Sequence, residues 1–203
     1  RGIGDLVHGT TPERVPPARR LLLLVILGTL PLFCVLPIHK KISALGDNMI
    51  FVGAALIFTG IVLLLSDIVG RGNKTERSAG VGSVLLVGFA QALATLPGVS
   101  RSGMTIAAGC CLGYERRFAV RFSFLLSIPA ILGANILTLI DACKTGVNWA
   151  ELPVYIVGVL VAAVSGYLCL SLLRYIAAKG RFGGFAYYCW AVGLAALILN
   201  LVL

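Results

Sequence analysis

Charge is what this sequence lacks most. Only 12% of its 203 residues are charged, against about a quarter in soluble domains. Mean hydropathy is +0.98. A soluble globular chain is excluded, and spans of about 20 residues become the natural unit of division. Acidic residues number eight and histidines two. The histidines, His8 and His39, fall in stretches that read as solvated loops. Aromatics make up 8%, with no aromatic-plus-basic surface segment, so the net charge of +9 does not point to nucleic acid. Its cations sit in short loops between apolar runs, which is how membrane proteins mark their inner side. Six cysteines are present without CxxC spacing, so a disulfide framework or zinc site is not expected, and packing between helices is. No GxxxxGK[ST], HExxH or GxSxG element appears, which excludes a P-loop, a zincin and a nucleophile elbow.

Long apolar runs are abundant. Five can span a bilayer: 21–38, 49–69, 118–140, 153–173 and 185–203. The stretch 1–20, with Pro12, Pro16 and Pro17, reads as a cytoplasmic loop continuing from preceding sequence. Pro31 and Pro37 predict a kink or early end in the first span. Pro129 lies in the third, and Ser123 and Ser127 are expected to satisfy backbone groups freed by it, with facing the pocket as the alternative. Trp149, Trp190, Tyr187 and Tyr188 suit interfacial belts, and the glycines of Gly180–Gly184 suit a loop.

Residues 81–113 fit none of these spans. The segment is too long for one crossing and too short for two, and it breaks at Pro97-Gly98 into halves of about 15 residues. It is either one broken span or a re-entrant hairpin. With 1–20 in the cytoplasm, the hairpin puts 13 cations inside and three (Lys40, Lys41 and Lys144) outside, leaving Arg101 in the middle. A single crossing puts eight on each side. The positive-inside rule selects the hairpin, with Pro97–Arg101 near mid-membrane. The chain is thus expected to be a single all-α polytopic membrane domain: two spans over 21–69, a re-entrant hairpin over 81–113, and three spans over 118–203.

The hairpin tip carries the chemistry. An arginine at bilayer depth is costly and marks a functional site, and backbone broken by Pro and Gly is tolerated there only under protein or beside a wet cavity. If 102–113 is a half-helix, its N-terminal amides and dipole point at the break, with Ser100 or Ser102 as cap. Amides, hydroxyls of Ser100, Ser102 and Thr105, and the Arg101 guanidinium make an anion site that suits phosphate. Gln91 and Thr95, four residues apart, share a face of the first half-helix.

These residues carry a resemblance. The run from Ala90-Gln91-Ala92 through Pro97-Gly98-Val99-Ser100-Arg101-Ser102-Gly103-Met104-Thr105, followed by Arg121-Phe122-Ser123-Phe124-Leu125-Leu126-Ser127-Ile128-Pro129, resembles the undecaprenyl-diphosphate phosphatase family of bacitracin-resistance type. The resemblance implies a multi-pass enzyme of the bacterial plasma membrane, built from inverted repeats. It would hydrolyse undecaprenyl diphosphate to the monophosphate, recycling the carrier for cell-wall synthesis and conferring bacitracin resistance. Its partners would be a prenyl diphosphate lipid and the bilayer, and a homodimer is one assembly it allows. It also implies a divalent cation, Mg²⁺ or Ca²⁺. Carried onto this chain, Arg101 and Ser100 are the catalytic candidates, and Ser102, Thr105, Gly98 and Gln91 line the substrate site. The family's other motif, a Glu-rich helix leading into a Pro-x-Ser-Ser-x-Gly-His turn, has no counterpart here, so the chain is expected to lack its first repeat. The competing reading is a secondary transporter or lipid flippase with a broken-helix anion site.

Overall fold

The computed structural model describes residues 17–69, 72–145, 152–178 and 183–202. The expected loop up to residue 16, His8 and Trp149 lie outside the described residues. Among the described residues eight α-helices follow one another: α1 Pro17–Phe33, α2 His39–Ala44, α3 Met49–Val69, α4 Val81–Leu93, α5 Arg101–Cys111, α6 Arg116–Thr145, α7 Leu152–Ala178 and α8 Gly183–Val202. Short 3₁₀ turns flank α2. Five stretches are long and apolar enough to cross a membrane, and no strand occurs among the described residues. The chain is an all-α polytopic membrane protein.

The helices begin close to where the apolar runs do, with informative departures. The first starts at Pro17, in the run expected to be loop, because proline suits the first turn of a helix, where its missing N–H is no loss. Pro31 sits within α1, and the helix ends two residues later at Phe33. The last helix opens on Gly183, so Gly183 and Gly184 belong to a helix start and not to a loop.

Residues 81–113 form a hairpin. Its two ends are stapled together: the Lys74 amide donates to the Gly113 carbonyl (2.9 Å) and the Glu115 amide to the Lys74 carbonyl (2.8 Å). A segment that crossed once could not bring Lys74 beside Tyr114. The same end carries an Arg116–Asp67 ion pair at 2.6 Å, joining the start of α6 to the end of α3. The Arg20 guanidinium donates to the Ala79 carbonyl, tying in the start of α1.

Two packed groups hold the bundle. Leu24, Val25, Val84, Val87, Ile106, Phe122 and Leu126 form a core shared by α1, α4, α5 and α6. Tyr114, Phe118 and Phe122 stack at its rooted end, with neighbouring ring centroids 5.0 Å and 5.7 Å apart. On the other flank α3 packs against α8. Trp190, expected to suit an interfacial belt, also bridges these two helices. Its indole Nε1 donates to the Ile57 carbonyl (3.1 Å), and its ring fills the notch at Gly60, where any Cβ would collide with it. The candidate span in α7 has no buried residue among its apolar window and faces outward along its length. The described cysteines are all free.

Candidate active site at the hairpin tip

The tip is built from a tight turn. The Val99 amide donates to the Leu96 carbonyl (3.1 Å), closing a four-residue turn with Pro97 and Gly98 at its centre. Gly98 has φ of +87°, the value that the third position of a type II turn demands. The turn is pressed onto α3: a Cβ on Gly98 would stand 2.7 Å from the Val52 carbonyl oxygen.

Thr59, buried on α3, grips the same turn. Its hydroxyl oxygen accepts the Ser100 amide (3.2 Å) and lies 2.9 Å from the Ala55 carbonyl and 3.4 Å from the Gly98 carbonyl. Sequence reading gave Thr59 no role. Its only signal was a lone hydroxyl followed by glycine within the otherwise apolar run 49–65.

Ser100 is the N-cap of α5, its Oγ accepting from the Gly103 amide at 3.2 Å. Met104 donates to the Ser100 carbonyl, and Thr59 takes the Ser100 amide. Of the amides at this helix start, those of Arg101 and Ser102 have no acceptor among the described residues. They join the dipole end of α5 in favouring an anion.

Arg101 lines a cavity of about 580 Å³. Thr95 and Ala94 join it from the tip. Thr29, Leu32 and Phe33 contribute from α1, with Leu36, His39, Ile42 and Ser43 from the connection to α3. Pro129, Ala130, Gly133 and Leu137 close the α6 side. The wall is mainly apolar, with one guanidinium and a few hydroxyls. His39, expected in a loop, opens α2 and lines this cavity although it is exposed. Its Nδ1 sits 2.9 Å from the Leu36 carbonyl. A carbonyl only accepts, so Nδ1 carries a proton in this contact.

Of the residues expected to form the site, Arg101 lines this cavity, whereas Ser100, Ser102, Thr105, Gly98 and Gln91 are not among its lining residues; Thr95 is, but it lies beyond the end of α4 and not on one helix face with Gln91. Ser102 is half-buried on the first turn of α5. Gln91 is 1% exposed on α4, and its Nε2 has no acceptor among the described residues. Thr105 is buried, with its hydroxyl 2.6 Å from Ser123 Oγ. The serines before Pro129 therefore divide. Ser127 donates to the Phe124 carbonyl (2.7 Å), a backbone group in the turn before the proline, whereas Ser123 turns to the hairpin.

A divalent cation finds no cage here. Among the described residues no group of three His, Cys, Asp or Glu side chains could hold a metal ion, and the cavity lining includes no carboxylate. The described residues on their own supply no carboxylate cage for the cation that the resemblance implied.

Comparison with known proteins gives this geometry its context. The family model described as "Bacitracin resistance protein BacA" matches residues 3–195. A protein of Halothermothrix orenii named "Undecaprenyl-diphosphatase" is 40% identical over 182 residues, covering 89% of this chain and 70% of that one. One of the same name from Desulforapulum autotrophicum is 42% identical over 184 residues, covering 90% of this chain and 66% of the relative. A third, from Methanothermobacter thermautotrophicus, is 40% identical over 183 residues, covering 88% of this chain and the relative's whole length. With a stapled hairpin, an arginine at its tip and a match running almost from end to end, the chain belongs to the bacitracin resistance protein BacA family.

Proposed function

We infer that this protein hydrolyses undecaprenyl diphosphate to undecaprenyl phosphate and orthophosphate, and so acts in carrier-lipid recycling and bacitracin resistance. The observation that carries the reading is the pairing of one guanidinium, at the N-terminus of α5, with an apolar-walled cavity. A prenyl diphosphate asks for both halves: donors for its phosphates and a greasy wall for its first isoprene units.

In this reading Arg101 grips the diphosphate through its planar fork of N–H groups and offsets charge that builds up as the anhydride breaks. The Arg101 and Ser102 amides receive the terminal phosphate oxygens. Ser100 spends an oxygen lone pair on the Gly103 amide, which leaves its own proton to donate to a phosphoryl oxygen. Gly98 lets the tip sit low on α3, and Gln91 offers its amide N–H from behind. A water oxygen bonds to the terminal phosphorus as the bond from that phosphorus to the bridging oxygen breaks; the bridging oxygen departs with the lipid phosphate, and the proton lost by the water passes to solvent. We place the protein in the bacterial plasma membrane. We also propose a homodimer through α7, where Gly158, Ala162 and Gly166 recur every fourth residue and the two glycines meet open space.

The test is phosphate release from undecaprenyl diphosphate by the purified protein and its Arg101→Ala variant. Removing two charge-assisted contacts is expected to lower kcat/KM by about 10²–10³. Unchanged turnover in a folded Arg101→Ala protein would refute the reading. Lipid movement across vesicles without phosphate release would replace it with the transporter reading.

A further inference from the structure

We propose that Ser123 is a positioning residue that acts through Thr105 to hold the first turn of α5, and with it Arg101, in register against α6. The inference rests on the phosphate-site reading of the tip and gives that site a support outside the hairpin.

Proton counting carries it. Thr105 and Ser123 are 2% and 4% exposed, so neither hydroxyl is satisfied by solvent. Thr105 Oγ1 lies 3.0 Å from the Arg101 carbonyl, 3.2 Å from the Ser102 carbonyl and 2.6 Å from Ser123 Oγ. Carbonyls only accept, and each hydroxyl has one proton. The arrangement that uses both protons has Ser123 donating to Thr105, and Thr105 donating to the carbonyls of the first α5 turn. A short buried chain of this kind polarises along its length. It leaves Thr105 no proton for a phosphate, so the hydroxyl expected to line the site instead fixes the backbone that bears Arg101.

The anchor and the cavity wall belong to one helix face. Ser123, Leu126 and Ala130 follow at spacings of three and four, which puts them on one side of α6. Ala130 lines the cavity with Arg101. The wall that receives the substrate's apolar part and the hydroxyl that seats the arginine thus move together.

The experiment uses the full chain in detergent with Ser123→Ala, Thr105→Val and the double variant, and with Thr105→Ser as the conservative control. It reads amide hydrogen exchange over residues 100–106, and kcat and KM for phosphate release from undecaprenyl diphosphate. Each single variant is expected to speed exchange at the tip and to lower kcat about three- to tenfold. The double should be no worse than the worse single, and Thr105→Ser should stay near the parent. Unchanged tip exchange in Ser123→Ala, or losses that multiply in the double variant, would overturn the proposal. Should Ser123→Ala fail to fold, Ser123→Cys, a weaker donor, takes its place under the same criteria. Coupled exchange in a protein that releases no phosphate would defeat the phosphatase reading and leave the Ser123–Thr105 pair standing.

Discussion

Alanine at position 98 puts the seat of the arginine under direct test. Gly98 holds φ of +87°, and a Cβ there would meet the Val52 carbonyl oxygen at 2.7 Å and the Ala55 Cβ at 3.0 Å. Holding an L-residue in the left-handed region costs roughly 1–2 kcal/mol. Forcing a methyl against packed backbone adds about 1–3 kcal/mol. Gly98→Ala should therefore lose about 2–5 kcal/mol if the turn stays in place. If the turn instead lifts off α3, it loosens the Thr59 contacts to the Gly98 carbonyl and the Ser100 amide and carries Arg101 away from the cavity. A displacement near 1 Å is enough to cost about 10²-fold in rate. Unfolding of the detergent-solubilised protein measures the first outcome, and phosphate release measures the second. Gly46→Ala is the control, because a Cβ there meets only the Pro97 ring, at an ordinary 3.5 Å, and it should shift stability by no more than about 0.5 kcal/mol. A Gly98→Ala protein matching its parent in both unfolding midpoint and turnover would refute the account of the tip.

Other substitutions probe the rest of the frame. Thr59→Val keeps the shape of Thr59 but strands the Ser100 amide, and should cost about 1–3 kcal/mol by chemical denaturation. Asp67→Asn removes the charge facing Arg116 at the root, and should lower stability by about 1–3 kcal/mol while phosphate release per folded molecule changes little. Trp190→Phe loses the bond to the Ile57 carbonyl and should lower the midpoint by the equivalent of about 1 kcal/mol, read in the same melt. Gln91→Leu removes a buried donor that has no acceptor among the described residues. It should leave stability equal or raised by up to about 2 kcal/mol and raise KM for the lipid diphosphate, and a destabilised variant with unchanged KM would contradict both points.

Much of the site was readable from residue order because its signals are local. Pro97-Gly98 names its own turn type, Ser100 precedes a helix start by one residue, and the placement of basic loops decides between hairpin and crossing before any helix is packed. What escaped was contact between helices. Thr59, Ser123 and Trp190 act through the rotation of one helix against another, which a span's hydropathy does not encode. Ser123 and Ser127 show the limit well: they are alike in sequence and one turn apart, yet one serves its own helix and the other the hairpin. His39 reached the cavity for a similar reason, since α1 ends at Phe33 and the chain folds back as a short helix over the tip.

The staple at Lys74 and Gly113 turns the hairpin into a ruler. Measured from that root, α4 with 13 residues and α5 with 11 reach about 20 Å and 16 Å at 1.5 Å per residue. In a hydrocarbon layer of about 30 Å this brings the tip close to the midplane, well short of the face opposite the root. The cavity above it is roofed by residues 35–43, the connection on that far face. One residue added to or deleted from either half-helix would shift the arginine by a helical step and turn it by about 100°, so length in this segment is under the same constraint as chemistry.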